Sequence, residues 1–203
     1  MYSKKRIGIM GAGGIGGVVG GLLSRAGHDV TLIDTWTEHI SQIKKFGLLV
    51  STSESLYKCK PEAINLNELQ QIKEKFDLVI ISVKSYDTDW ATMAIKKYVK
   101  EEGFYIDFQN GINDPTVAKI VGEDKTLGCI ITISAAIYEP GIVMRTDNRK
   151  DVCFKVGEFN RSKSERLIDF VQIMQSVGKS DYTLDLLGER WSKLMINCMA
   201  NPL

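Results

Sequence analysis

The sequence predicts an α/β fold: a doubly wound, mostly parallel sheet with an antiparallel edge over residues 1–184. The first helix of a second, all-helical domain follows at 185–203. Three observations predict this. Apolar strand-like runs alternate with helical patterns along most of the chain. The first such unit, Arg6 to Asp34, reads RIGIMGAGGIGGVVGGLLSRAGHDVTLID and places a glycine cluster at its strand-to-helix junction. The run DLVIISV, Asp77 to Val83, is continuously apolar, as a strand covered on both faces must be.

The elements follow in order. Ile7, Ile9 and Met10 form a strand, Gly14 to Ala26 a helix, and Val30, Leu32 and Ile33 a second strand that stops at Asp34. Thr37 is placed to cap a helix whose Ile40, Ile43 and Phe46 share one face and which Gly47 ends. Leu48–Val50 and Leu56–Lys60 predict a small hairpin, and Leu66, Leu69 and Ile72 a short helix. After DLVIISV come a helix from Thr88 to Val99, a strand from Phe104 to Phe108, a helix near Pro115 and a strand from Leu127 to Ser134. The alternating segment Ala135–Val156, with Pro140-Gly141 inside it, predicts a hairpin that closes one edge of the sheet. Glu165–Val177 is an amphipathic helix, and Tyr182–Leu184 a final edge strand. In the closing segment, LGERWSKLMINCMANPL, residues Trp191, Leu194, Met195, Cys198 and Met199 recur at helical spacing. That unpaired apolar face reads as the start of a second domain cut short.

Composition narrows the function. The 203 residues carry 26 Lys+Arg against 25 Asp+Glu, a balance that argues against a nucleic-acid partner. No apolar run approaches the roughly 18 residues of a membrane span. The basic, then apolar N-terminus is punctuated by glycine too early for a signal peptide. Cys59, Cys129, Cys153 and Cys198 show no metal-ligand spacing and read as buried reduced thiols of a cytoplasmic protein. There is no acidic metal cluster, H-E-x-x-H or G-x-S-x-G, so metalloenzyme and hydrolase readings have no support.

The chemistry begins at the glycine cluster. Gly11, Gly13 and Gly16 give G-x-G-x-x-G between strand and helix, the phosphate turn of a Rossmann-type dinucleotide fold. Gly11 would allow the sharp turn, Gly13 the approach of pyrophosphate, and Gly16 the packing of helix on strand. The amides of Gly14, Ile15 and Gly16 would face the phosphates. Asp34 comes 18 residues after Gly16, where an acid accepts from a ribose 2′-hydroxyl and repels a 2′-phosphate. Neighbouring Thr35, Trp36 and Thr37 offer no arginine, so these residues favour NADH. Lys84 follows the DLVIISV strand and Gln109-Asn110-Gly111 the strand after it, both at the sheet edge where open α/β folds bind ligands. For Lys84 the alternative is an ordinary surface lysine. Lys193, Asn197 and Asn201 recur every four residues, so a helix would set one cation and two amides on one stripe. Such a stripe suits a small 2-keto acid, though spacing alone is better explained by a solvated face. Pro202 disturbs the helix near Asn201. His28 and His39 read as surface residues, which leaves Lys193 as the proton donor for carbonyl reduction.

GAGGIG, VKSYDT, QNG, EPGIV and RWSKLMINCMANPL occur in that order and together resemble ketopantoate reductase (2-dehydropantoate 2-reductase). The resemblance runs along essentially the whole chain, and its most specific part is K-x-x-x-N-x-x-x-N-P-L. It implies reduction of 2-dehydropantoate to pantoate by a nicotinamide cofactor, NADPH in many members. It further implies that Lys193 is the catalytic lysine, Asn110 the active-site loop asparagine, Asn197 and Asn201 substrate-side asparagines, and Lys84 a lysine near the cofactor. The family's C-terminal helical domain, which adds an acid and a serine to the site and through which a homodimer would form, is nearly all lacking, so the catalytic set is incomplete and the expectation is that this chain is inactive by itself. Two other readings stay open: a related dehydrogenase of another 2-keto or 3-hydroxy acid, and a dinucleotide-binding module without turnover.

Overall fold

The computed structural model describes residues 4–200. β1 (Arg6–Met10) leads through Gly11 into α1 (Gly14–Arg25) and back to β2 (Asp29–Asp34), parallel to β1. α2 (Thr37–Phe46) ends at Gly47, whose φ of 85° suits a residue without a side chain. Trp36 rather than Thr37 occupies its N-cap position, because the Thr37 hydroxyl accepts from Asn65 Nδ2 at 3.0 Å instead. β3 (Leu48–Ser51) and β4 (Leu56–Cys59) make the expected hairpin. An unforeseen strand, β5 (Glu62–Asn65), runs parallel to β2. The predicted helix after it is a 3-10 segment, Leu66–Gln71, started by a capping box between Asn65 and Glu68.

β6 (Phe76–Ile81) and α3 (Thr88–Ile95) come next. The helical pattern expected to reach Val99 stops earlier, because Val99 pairs with Phe76 and opens β7 (Val99–Asp107). α4 (Asp114–Val121), β8 (Thr126–Ile131), β9 (Ala135–Glu139), β10 (Ile142–Arg145) and β11 (Phe154–Glu158) follow. α5 (Glu165–Met174), β12 (Ser180–Thr183) and α6 (Leu186–Ala200) complete the described chain.

The main sheet has the order β12-β11-β8-β7-β6-β1-β2-β5, parallel throughout except where β11 runs against β8. Successive residues of each central strand point to opposite faces. Ile7 and Ile9 enter one apolar layer, and Met10, Ile33 and Val79 the other. The chain leaves β1 and β6 toward opposite sides of the sheet, so a crevice opens beyond their carboxyl ends.

The segment Ala135–Val156 departs from expectation. Its hairpin, β9–β10, does not close the main sheet; β10 lies parallel to β3 in a second sheet of order β4-β3-β10-β9. The reason lies in α1. A Cβ on Gly17 would sit 2.6 Å from Val143 Cγ1 and one on Gly21 2.5 Å from Val50 Cγ2, while on the other face Gly20 lies against Leu32 and Ile9. The helix is thus held between two sheets, and Gly16 to Leu23 are all buried. Each helical glycine costs about 1 kcal/mol relative to alanine, which burial on both faces offsets. The antiparallel edge of the main sheet is instead made by β11, which runs against β8, and by β12 outside it. Cys59, Cys129 and Cys153 are buried free thiols as expected, but Cys198 is exposed on α6. Among the described residues, no helix is long and apolar enough to cross a membrane.

Candidate active site

A groove of about 450 Å³ lies in the crevice, lined by Gly11, Gly13, Gly14, Ile15, Asp34, Lys84 and Asn110. Gly11 has φ +98°, and a Cβ there would lie 2.7 Å from the Ser82 carbonyl oxygen, so only glycine makes this turn without strain. Gly13 faces open space, with nothing within 4 Å of where a Cβ would be. Gly16 does not line the groove; a Cβ on it would overlap the Gly11 carbonyl, so its place is the packing of α1 against β1. No side chain caps α1 at Gly13 and no acid stands in its first turn, which leaves its N-terminal amides to an anion. Asp34 Oδ2 accepts from Ala12 N at 2.7 Å and Oδ1 from Trp36 N at 2.9 Å, bracing the glycine turn and the start of α2. Lys84 is exposed on the opposite wall beside Ser85. The residues fit a dinucleotide: open amides for the phosphates, and a carboxylate with spare lone pairs for a ribose.

A second cavity, about 880 Å³, lies between β8 and α6 and is lined by Lys193, Asn197, Ser192, Glu189 and Arg149. Asn110 lines both cavities. Its side-chain carbonyl Oδ1 accepts from Lys193 Nζ at 2.8 Å, and Lys193 also donates to the Ile131 carbonyl. Burial lowers the Lys193 pKa to about 8, and the neighbouring Arg190 charge adds to the effect. Lys193 and Asn197 therefore share one face, as their spacing predicts. Asn201 lies outside the described residues.

Several site-shaping residues carry weaker sequence signals. Gln109 is buried; its Nε2 donates to the Val83 carbonyl at 2.8 Å and to Thr88 Oγ1 at 2.9 Å, joining the two strand ends. Arg190, 2% exposed, reaches from α6 to Asp107 and Asp114. The sign of it was an acid inside the apolar strand FYIDF, which must find a partner once buried. His39 overturns its surface reading: it is fully buried, with Nε2 3.0 Å from the Ala12 carbonyl and Nδ1 accepting from Gly141 N at 2.9 Å. Those partners put the proton on Nε2, and burial lowers the ring's pKa. The lone histidine of TEHISQIKKF looks solvated until the hairpin carrying Gly141 arrives from 102 residues away. Among the described residues no group of three or more His, Cys, Asp or Glu side chains could hold a metal.

Comparison with known proteins places these features. Residues 7–161 match the family model described as ketopantoate reductase PanE/ApbA. A 2-dehydropantoate 2-reductase of Pyrococcus horikoshii is 33% identical over 201 residues, which are 98% of this chain and 62% of that protein. The crystal structure of 2-dehydropantoate 2-reductase from Geobacter metallireducens superposes with a TM-score of 0.84 at 25% identity, over 95% of this chain and 62% of that one. A D-mandelate dehydrogenase solved with NADH and anilino(oxo)acetate has the same fold, with a TM-score of 0.84 at 22% identity over 94% and 61%. The chain thus spans a little over three fifths of the length of these relatives.

Proposed function

This chain belongs to the ketopantoate reductase PanE/ApbA family, and from that premise we propose that it reduces 2-dehydropantoate to (R)-pantoate with a nicotinamide cofactor. The observation that carries the proposal is the contact of Lys193 Nζ with Asn110 Oδ1, at the residue where the two cavities meet. When bound, a reduced nicotinamide supplies the hydride. Lys193 spends two N–H donors on Asn110 and Ile131, which leaves the third for a ketone oxygen in the second cavity. As negative charge grows on that oxygen, the ammonium stabilises it and gives up a proton. With a pKa of about 8 the lysine is charged at neutral pH and still a willing acid. Asn197 offers an amide to the same substrate, and Asn110 holds the lysine still.

On the cofactor side, Gly11, Gly13 and the amides of Gly14 to Gly16 take the pyrophosphate, with Lys84 near it. Asp34 takes the adenosine ribose and favours NADH over the NADPH that family resemblance implies. The site residues belong to a dinucleotide domain, 1–184, and to the first helix of a helical domain at 185–203. Along α6, Leu187, Trp191, Met195 and Met199 are exposed, the face on which more helical structure would pack. The buried free thiols fit a reducing, cytoplasmic setting.

The test mixes the full-length protein with NADH or NADPH and a panel of 2-oxo acids and follows the reduced nicotinamide by absorbance. Oxidation with 2-dehydropantoate, lost in Lys193→Ala while cofactor binding persists, is the expected result. Faster reduction of another 2-oxo acid, or oxidation of a 3-hydroxy acid when the oxidised cofactor is supplied instead, would reassign the substrate, since the same fold serves a D-mandelate dehydrogenase. Cofactor binding without oxidation across the panel would make the chain a binding module.

A further inference from the structure

We propose that Arg190 is a positioning residue for Lys193: it clamps the helix carrying the lysine to the strand-end loop carrying Asn110 and places a fixed positive charge one turn away. The inference rests on the reading of Lys193 as the acting acid, and its first test does not depend on turnover.

Arg190 is the largest fully buried side chain, and with Leu186 it is one of only two buried residues on α6. Its Nε donates to Asp114 Oδ2 at 2.9 Å and Nη1 to the Gln109 carbonyl at 2.8 Å. Nη2 donates to Asp114 Oδ1 at 2.5 Å, to Asp107 Oδ2 at 2.9 Å and to the Asp107 carbonyl at 3.1 Å. One guanidinium therefore holds the end of β7, the turn after it and the start of α4. The contacts close a ring. Gln109 precedes Asn110, Asn110 binds Lys193, and Lys193 stands three residues after Arg190 on the same helix face. The opposite side is shaped to match: a Cβ on Gly128 would overlap the Asp114 carboxylate and lie 2.6 Å from Leu186 Cδ1.

A purely structural reading has a physical difficulty. Replacing a buried ion cluster by apolar side chains is often neutral or stabilising, so docking the helix does not require a charge. An apolar side chain could neither grip the Gln109 carbonyl nor act on the lysine electrostatically. The charged groups around Lys193 are Arg190 on its own helix and Asp107 of β7, while Cys129 of β8, its thiol pushed well up by burial, is a neutral neighbour. Glu189, paired with Lys155, and Arg149 stand at the rim of the cavity. Burial and Asp114 push the Asp107 carboxyl well up while Arg190 opposes them, so the cluster does not behave as two free carboxylates beside the lysine.

The experiment is competitive acetylation of the protein with trace acetic anhydride from pH 6 to 10, with labelling of Lys193 read by mass spectrometry. Wild type should show a midpoint near 8. In Arg190→Met the midpoint should rise by about one pH unit, so that labelling at pH 7 slows about tenfold, and Arg190→Lys should return it. NADH affinity should stay within about twofold in both, because Arg190 does not line the cofactor groove. Where 2-oxo acid turnover is measured, kcat should fall with little change in KM. An unmoved midpoint in an NADH-binding Arg190→Met protein overturns the proposal. Should that variant fail to bind NADH, Arg190→Gln decides: it keeps a donor for the Gln109 carbonyl but no charge, so the midpoint should again rise, and no movement overturns the proposal. Wild type that labels as expected but reduces no 2-oxo acid would count against the proposed function alone.

Discussion

Replacing Asp34 by alanine should shift the cofactor preference toward NADPH, and the size of the effect can be worked from the structure. Asp34 uses one lone pair of each oxygen on the amides of Ala12 and Trp36, at 2.7 and 2.9 Å, and keeps the others for ribose hydroxyls. Hydrogen bonds to a charged group contribute about 1.5–3 kcal/mol, so their loss should weaken NADH binding roughly 10- to 150-fold. NADPH, whose 2′-oxygen carries the phosphate, has no 2′-hydroxyl bond to lose and instead escapes a repulsion. A 2′-phosphate of about −1.5 to −2 charge, about 5 Å from the carboxylate at an effective dielectric of about 40, feels about 2.5–3.3 kcal/mol. The ratio of the NADPH to the NADH dissociation constant should therefore fall roughly 50- to 300-fold from wild type to Asp34→Ala through the lost repulsion alone. Calorimetric titration of both proteins with both cofactors measures it directly, and low salt should enlarge the difference. Tighter NADPH than NADH binding in wild type, or a ratio indifferent to the substitution, would refute the reasoning.

Three further outcomes are expected. Reduction that needs the Lys193 ammonium should be near its plateau at pH 7 and fall about tenfold per unit well above the lysine's pKa of about 8; a rate flat from pH 7 to 9.5 would exclude the ammonium as the acid. His39 is held neutral by burial, its pKa below 6.5. The unfolded ring takes up a proton as pH falls through about 6.5 and the native ring does not, so stability is lost on acidification. Thermal melts from pH 7.5 to 5 should show this decline, flattened in His39→Gln, with His28, also lowered by burial, keeping a remainder. Gly17→Ala should destabilise by about 1–3 kcal/mol despite alanine's better helix propensity, because its Cβ meets Val143 at 2.6 Å. Urea unfolding of Gly17→Ala, Val143→Ala and the double variant would show most of the loss recovered in the double if that contact is the cause.

Much of the fold was legible because its signals are local. A G-x-G-x-x-G between an apolar run and a helix demands a particular backbone, and Gly11 adopts it at φ +98°. A period of two or 3.6 marks each element without knowledge of its neighbours, so β1, α1, β2, β6 and α5 stand close to where the sequence puts them. Lys193 and Asn197 came together for the same reason, since four residues on a helix fix a shared face. Local signals misplaced the Ala135–Val156 hairpin, whose own alternation fits either sheet. Its partner was chosen by the glycine face of α1, more than a hundred residues earlier in the chain.

What the sequence determined by itself was the glycine turn with its acid and the polar stripe on the last helix, because each is set by the backbone geometry of a few consecutive residues. Only the tertiary structure decided which buried charges and polar groups meet. Arg190 finds Asp107 from 83 residues away, and His39 finds Gly141 from 102. A buried charge must be paired wherever it lies, but nothing in its own segment names the partner. That is settled by which distant strands and helices pack against it.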